Sequence, residues 1–263
     1  MTRRLLILGG TAEARSLAAD AAARFGSRLN VIVSLAGRTR TPQDRPGTLR
    51  VGGFGGVAGL ADYLKAERID FLVDATHPFA ATMSDHAVAA AARTGVTLLR
   101  LERPTWTRQP GDRWIDVPDA AAAAKAVSTL GSRIFLSFGG KELDAFASLA
   151  DQWFLVRRID EPPQPLPLPR SALVLGRPPF RIEDETALLR EHRIQVVVAK
   201  ASGGASTSAK LAAARSLGLP VVMIARPVKA VAATVRTPEA ALSRIAAVLF
   251  PASAIDGGAA VSA

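Results

Sequence analysis

The chain has 263 residues, 49% hydrophobic and 21% charged, which is the balance of a globular protein able to bury one large core or two modest ones. It has no cysteine and only three histidines (His77, His86, His192) without HExxH spacing, which excludes disulfides and thiolate chemistry and argues against a metal enzyme. The formal charge of +10 calls for an anionic partner; with scattered basic residues, 5% aromatics and no nucleic-acid motif, a small polyanion is favoured over nucleic acid.

The opening "MTRRLLILGG" is too short an apolar run for a signal peptide, and no run approaches the ~20 apolar residues that span a bilayer. The expectation is a cytoplasmic protein with no membrane contact. "RLLILGG" reads as a strand entering a Gly turn, and "TAEARSLAADAAARF" as an Ala-rich helix. "RLNVIVSL", "TLRVGG", "IDFLVDA" and "VTLLRL" follow as short aliphatic strands, with "VAGLADYLKAER" and "AATMSDHAVAAAART" as helices between some of them. This alternation predicts an α/β fold with a mostly parallel sheet covered on both faces.

The second half repeats the plan. "RIFLSFGG" (133–140) answers "RLLILGG" (4–10), "LLREHRIQVVVAK" (188–200) answers "YLKAERIDFLVDA" (63–75), "GLPVVMIARP" (218–227) answers "GVTLLRLERP" (95–104), and "TPEAAL" (237–242) answers "VPDAAA" (117–122). Four matches in one order, at a steadily shrinking offset, predict an internal duplication into two Rossmann-like three-layer halves. We place them at 1–131 and 132–250, with 105–131 free to pack on either. "EPPQPLPLPR" (161–170), with five prolines, reads as a stiff spacer, and 251–263 as a disordered tail.

Four strand ends carry the candidate site of the first half. Gly9 and Gly10 lead to a helix start, where N–H groups and the helix dipole attract a phosphate. Thr11 either caps that helix or bonds the phosphate; a bare Gly-Gly turn without G-x-G-x-x-G also suits a tight strand-to-helix connection. The tip of the second strand, which reads the adenosine ribose in dinucleotide-binding units, has no acid. Ser34, Gly37, Arg38, Thr39 and Arg40 offer hydroxyls and guanidinium groups instead, which predicts NADPH rather than NADH. Gly52 and Gly53 let backbone approach a flat ligand and Phe54 shields it. Asp74, Thr76 and His77 of "DATHPFA" then edge a nicotinamide pocket, although a lone His is as readily structural as catalytic.

Three stretches, "ILGGTAEAR", "DATHPFA" and "KASGGASTSAKLAAARSLGLPVVMIARP", resemble the precorrin-6A reductases of cobalamin biosynthesis, and the resemblance runs from about residue 3 to 250. It implies a two-domain reductase, one domain holding NADPH and the other a tetrapyrrole, that delivers hydride to a ring carbon of precorrin-6A and gives precorrin-6B. Such a substrate is a polyanion, in keeping with the charge of +10. One departure is Ala201, where the family often has an acid or amide after the lysine that is Lys200 here.

The second half has lost the arginine-rich second-strand tip. It offers Gly139, Gly140, Lys141, Lys200, Ser202, Gly203 and Gly204 as a carboxylate-binding set at helix starts. His77 and Phe79 would face the substrate in a cleft between the halves. His77 is the candidate proton donor or polariser, with Asp74 either orienting it or capping the next helix. Two alternatives stay open: a cobalt-precorrin-6A or other polyanion reductase, and a two-lobed sensor of NADPH and tetrapyrrole. Hand-over contacts with neighbouring pathway enzymes complete the expected partners.

Overall fold

The computed structural model describes residues 2–37 and 47–251, so the expected tail beyond Pro251 and the predicted Arg38, Thr39 and Arg40 lie outside the described residues. The chain forms two compact units, Met1–Arg103 with Val228–Ala263, and Pro104–Pro227.

The first unit contains strands β1 (Arg3–Leu8), β2 (Leu29–Leu35), β3 (Thr48–Val51), β4 (Phe71–Asp74) and β5 (Thr97–Leu101), and helices α1 (Ala12–Phe25), α2 (Gly56–Ala66) and α3 (Ala81–Thr94). The second contains β6 (Arg113–Val117), α4 (Ala120–Leu130), β7 (Arg133–Leu136), β8 (Trp153–Arg158), β9 (Ser171–Leu175), α5 (Ile182–Glu191), β10 (Val196–Lys200), α6 (Ala209–Ser216) and β11 (Pro220–Ile224). The chain then returns to the first unit with β12 (Thr234–Val235) and α7 (Pro238–Leu249).

Both sheets are six-stranded, in the orders β12-β5-β4-β1-β2-β3 and β6-β11-β10-β7-β8-β9, and all their pairings are parallel. Counted within each half of the sequence the two orders are the same, except that the outer strand next to the fifth comes from the other half. This moves the expected boundary. Residues 105–131 belong to the second unit, where β6 pairs with β11, whereas β12 and α7 join the first, where β12 pairs with β5. Reading the chain in order assumes that sequence neighbours are spatial neighbours, the usual but not universal case. The two crossings fall at Arg103–Pro104 and Pro227–Val228, at the Arg-Pro pairs that match each other in the repeat.

The core explains why the strands read as continuous apolar runs. In β1, Leu5 and Ile7 face a cluster with α1 and α7 residues such as Leu17, Ala21, Ile245 and Leu249. Leu6 and Leu8 face the opposite cluster with Leu60 and Leu64 of α2 and Ala87 and Ala90 of α3. A strand covered on both faces needs apolar residues at every position. The second sheet packs Phe135, Leu155, Val197 and Val221 against α5 and α6, while α4 and a 3₁₀ segment at Lys141–Phe146 take its other face. Thr11, Asp119 and Thr237 cap α1, α4 and α7 by accepting from Ala14, Ala122 and Ala240 N–H, each cap worth ~1 kcal/mol.

Candidate functional site

The strand order sets the site of the first unit. Four neighbours, β4-β1-β2-β3, all run the same way, so Asp74–His77, Gly9–Thr11, Ser34 and Gly52–Phe54 come to one carboxyl edge. The chain moves outward from β1 through β2 to β3, then returns to β4 on the other side. That reversal between β1 and β4 is a topological switch point, the place where open parallel sheets bind ligands.

The two glycines after β1 do different work. Gly9 N–H donates to the Ser34 carbonyl (2.8 Å), and a Cβ on Gly9 would sit 3.1 Å from Val33 Cγ1, so this glycine permits close packing against β2. Gly10 has φ +121° with nothing within 4 Å of where a Cβ would be, leaving open space beside the first turn of the 14-residue α1. First-turn N–H groups have no intrahelical partner and the dipole there is positive. This is a cradle that fits a phosphate. Thr11 resolves to a cap and a clamp: its Oγ1 accepts from Ala14 N–H (3.1 Å) and donates to Ala75 O (2.9 Å), tying β1 to β4 across the switch point.

At the end of β4 the Asp74 carboxylate, 1% exposed, accepts from Thr76 N–H and Oγ1 (3.3 and 2.7 Å) and from Arg100 Nε (3.1 Å) on neighbouring β5. His77 is exposed, and its Nδ1 accepts from Phe79 N–H (3.2 Å), so in the neutral ring the proton sits on Nε2. Pro78 is buried beneath and Phe79 lies beside the imidazole, centroids 5.9 Å apart. Arg100 also donates through Nη1 to Ala230 O (3.0 Å), while Asp85 accepts from Ala230 N–H (2.8 Å). The returning segment is thereby pinned to the site's edge.

Arg50 is a residue that the sequence reading misses. Its Nη1 donates to Ser34 Oγ (3.2 Å) and Gly52 O (2.7 Å), its Nη2 to Gly53 O (2.8 Å), and the guanidinium lies 3.7 Å from the Phe54 ring centroid. Phe54 in turn meets Tyr63 edge-on at 5.2 Å, and burial holds the Tyr63 phenol above its ordinary range, with Glu67 adding to the effect. The signal for Arg50 is present in "LRVGGFGG", an arginine just before the glycine-rich tip with an aromatic after it, but the glycines and Phe54 draw the eye first.

In the second unit the corresponding switch point lies between β7 and β10. Gly139, Gly140 and Lys141 follow β7, Lys200 ends β10, and Ser202–Gly204 come next. Lys200 Nζ pairs with Glu142 Oε1 at 2.5 Å and lies 5.2 Å from the Phe138 centroid; Lys141 is exposed. The expected helix starts are 3₁₀ turns, at Lys141–Phe146 and Ala205–Thr207, so the α-helical dipole is missing from both. Gly203 is explained by packing: at φ +69°, a Cβ there would stand 2.0 Å from the Pro104 carbonyl oxygen. Gly204 O accepts from Trp106 Nε1 (2.9 Å), and Arg226 donates to Ala201 O and Ser202 O (2.8 and 3.1 Å), holding the loop. The second-strand tip is not stripped of arginine either, because β8 ends in Arg157 and Arg158. Arg157 pairs with buried Glu185 at 2.6 Å, and the Arg158 stem lies against Gly139. Among the described residues no three His, Cys, Asp or Glu group to hold a metal, and no helix is long and apolar enough to cross a membrane.

Comparison with known proteins meets this geometry from the other direction. The family model described as precorrin-6x reductase CbiJ/CobK matches residues 4–246. A precorrin-6A reductase of Rhodococcus erythropolis is 53% identical over 85% of this chain and 89% of its own length, and one of Sinorhizobium sp is 46% identical over 95% of both. A cobalt-precorrin-6A reductase of Priestia megaterium is 30% identical over 85% of this chain and 90% of its own. The solved structure of a CobK precorrin-6A reductase superposes with a TM-score of 0.89 at 47% identity, covering 94% of this chain and 97% of that one. Matched over nearly its whole length in sequence and in fold, the chain belongs to the precorrin-6x reductase CbiJ/CobK family.

Proposed function

We propose that the chain is a precorrin-6A reductase that uses NADPH. The observation that carries the reading is the carboxyl edge of the first sheet, where Gly10, with open space beside it, precedes a 14-residue helix at the switch point. Relatives named for precorrin-6A, at 46–53% identity, favour it over its cobalt form, for which relatives stand at 30–31%.

In this reading the backbone of Gly9–Thr11 holds the pyrophosphate, Ser34 faces the adenosine ribose, and Gly52–Phe54 and Thr76 complete the coenzyme's contacts. NADPH supplies the hydride; the protein's part is to hold donor and acceptor carbons at ~3–3.5 Å and to exclude water. A hydride delivered to a conjugated C=C/C=N system leaves an electron pair that must be protonated elsewhere on the ring. His77, whose Nδ1 accepts from Phe79 N–H, is assigned the part of proton donor or polariser. Asp74 serves as a positioning residue, fixing the strand end through Thr76 and Arg100. Phe79 faces the substrate. In the second unit Lys141, Lys200 and the backbone of Gly139, Gly140 and Ser202–Gly204 receive carboxylate arms, and Arg158 beside Gly139 joins them.

The test is an anaerobic incubation with precorrin-6A and NADPH, with NADH in parallel, measuring coenzyme oxidation and macrocycle mass. A product gaining two hydrogens, formed preferentially with NADPH, is expected. An unchanged macrocycle with both coenzymes would overturn the reading. His77→Ala is expected to lower turnover by ~10²–10⁴ with coenzyme affinity retained; a loss below about fivefold assigns the proton to water or to the substrate's own ring nitrogen.

A further inference from the structure

We infer that Arg50 is the residue that distinguishes NADPH from NADH, by reading the 2′-phosphate of the adenosine ribose. The inference rests on the coenzyme reading above and names the side chain responsible for it.

Position is the first argument. In a parallel dinucleotide-binding sheet the second-strand tip faces the adenosine ribose, with an acid there for a free 2′-hydroxyl and an arginine nearby for a 2′-phosphate. The β2 tip carries Ser34, which is 5% exposed. The register of β2 against β3 sets Arg50 directly opposite, and Nη1 lies 3.2 Å from Ser34 Oγ. An arginine supplied by β3 therefore stands beside the β2 tip, against Ser34.

Charge is the second. Five cations of this unit are neutralised within it: Arg3 by Asp70, Arg4 by Glu67, Arg100 by Asp74, Arg103 by Glu13 and Lys229 by Glu102. Arg50 is held by two carbonyls, a hydroxyl and a ring, all of them neutral, and it pairs with no carboxylate among the described residues. Carbonyl acceptors orient a guanidinium without cancelling its charge, so the full positive charge remains for an external anion.

Pre-organisation is the third. The hydrogen bonds to Ser34, Gly52 and Gly53 use three of the five N–H groups that a guanidinium carries, and Phe54 covers one face at 3.7 Å. Nε–H and one Nη2–H remain, and the side chain has little rotamer freedom left to lose when a phosphate binds. A fixed, planar donor of this kind suits phosphate better than a lysine ammonium would.

The test uses the full chain and two nucleotide fragments, 2′,5′-ADP and 5′-ADP, titrated by calorimetry into wild type, Arg50→Gln and Arg50→Lys. Wild type is expected to prefer 2′,5′-ADP. Arg50→Gln should lose roughly 10–100-fold in 2′,5′-ADP affinity, as for a charge-assisted hydrogen bond, with 5′-ADP changed by less than about threefold. Arg50→Lys, which keeps the charge and the stem, should keep part of the preference and serves if the glutamine variant does not fold. Equal weakening of both fragments would overturn the inference, making Arg50 a brace for the 52–54 turn. So would an unaltered preference in both variants, while turnover of precorrin-6A with NADPH left the proposed function standing. A wild type with no preference between the fragments would remove the NADPH reading and the inference together.

Discussion

Asp74→Ala separates the positioning role of this residue from a catalytic one. The carboxylate is 1% exposed and its ion-pair partner Arg100 has a side chain 8% exposed, so water cannot take over when either is removed. Breaking one side of such a pair typically costs ~3–5 kcal/mol, because the remaining charge is buried without compensation. Two features place Asp74 in that range. Arg100 Nη2 is already buried without a hydrogen-bond partner, so no spare acceptor waits for the freed guanidinium. Thr76 would also lose the acceptor for its N–H and its hydroxyl. Urea unfolding monitored by circular dichroism should show the midpoint falling with the slope unchanged. The melting temperature should drop by roughly 6–20 °C, at ~2–4 °C per kcal/mol for a chain of this order. Asp116→Ala is the control, since the Arg108–Asp116 pair has side chains 51% and 63% exposed and should be worth under ~1 kcal/mol. Adding Arg100→Met to Asp74→Ala should recover part of the loss, because the stranded charge goes too. A loss below ~1 kcal/mol for Asp74→Ala, or no recovery in the double variant, would refute the reasoning and return Asp74 to a purely chemical role.

Gly203→Ala and Gly10→Ala should rank in a fixed order by the same unfolding assay. The first adds a Cβ 2.0 Å from the Pro104 carbonyl at φ +69° and should lose more stability than the second, where φ is +121° in open space and strain alone costs ~1–3 kcal/mol. Gly10→Ala should nevertheless weaken nucleotide binding, measurable by calorimetry, because its methyl enters the phosphate cradle. Lys200→Met should raise KM for the tetrapyrrole roughly tenfold with nucleotide affinity unchanged, as expected for one charge-assisted contact, in steady-state kinetics. Tyr63 is the chain's only tyrosine, and its phenol is raised from 10.0 by burial first and Glu67 second. Its neutral form is favoured in the fold, so the stability it contributes is present below the ordinary phenol range and is lost as pH rises through the folded value. Arg50 pulls the other way, so Arg50→Gln should move the tyrosinate difference absorbance to still higher pH.

The sequence is most legible where physics leaves few options. A strand covered by helices on both faces must be apolar at every position, and "RLLIL", "FLVD" and "VVVAK" can hardly be read otherwise. Parallel pairing follows from crossover connections, several of them helices, and it brings the four predicted strand ends to one edge without any residue having to signal it. The outer strands are the blind spot. β6 and β12 are short, partly exposed and preceded by irregular chain, so nothing in "RWIDV" or "TV" says which sheet each joins. Polar roles are harder still. That Asp74 meets a guanidinium depends on an arginine 26 residues away becoming its neighbour on the next strand. Arg50 escapes a linear reading for the same reason, since its meaning lies in a cross-strand register with Ser34.

The two Gly-Gly turns show why a motif takes its meaning from the element after it. Gly9-Gly10 and Gly139-Gly140 both follow the central strand of a sheet, and both second glycines have positive φ, +121° and +103°. After the first pair comes an α-helix of 14 residues, long enough for aligned peptide dipoles to give a positive end and for first-turn N–H groups to stay unpaired. After the second comes a 3₁₀ segment of 6 residues with Glu142 and Asp144 in its first turn, where such a dipole is lacking. Glu142 pairs with Lys200 instead. The second turn therefore lacks the helix start that suits the first to a pyrophosphate, and in the proposed function carboxylates in that unit also meet side chains such as Lys200 and Arg158. Dispersed side chains suit a ligand whose charges are spread around a ring, as a row of backbone N–H groups suits one whose charges are concentrated in a single bridge. On the proposed function, one strand order would serve two kinds of anion, with the length of the helix after the glycines deciding which.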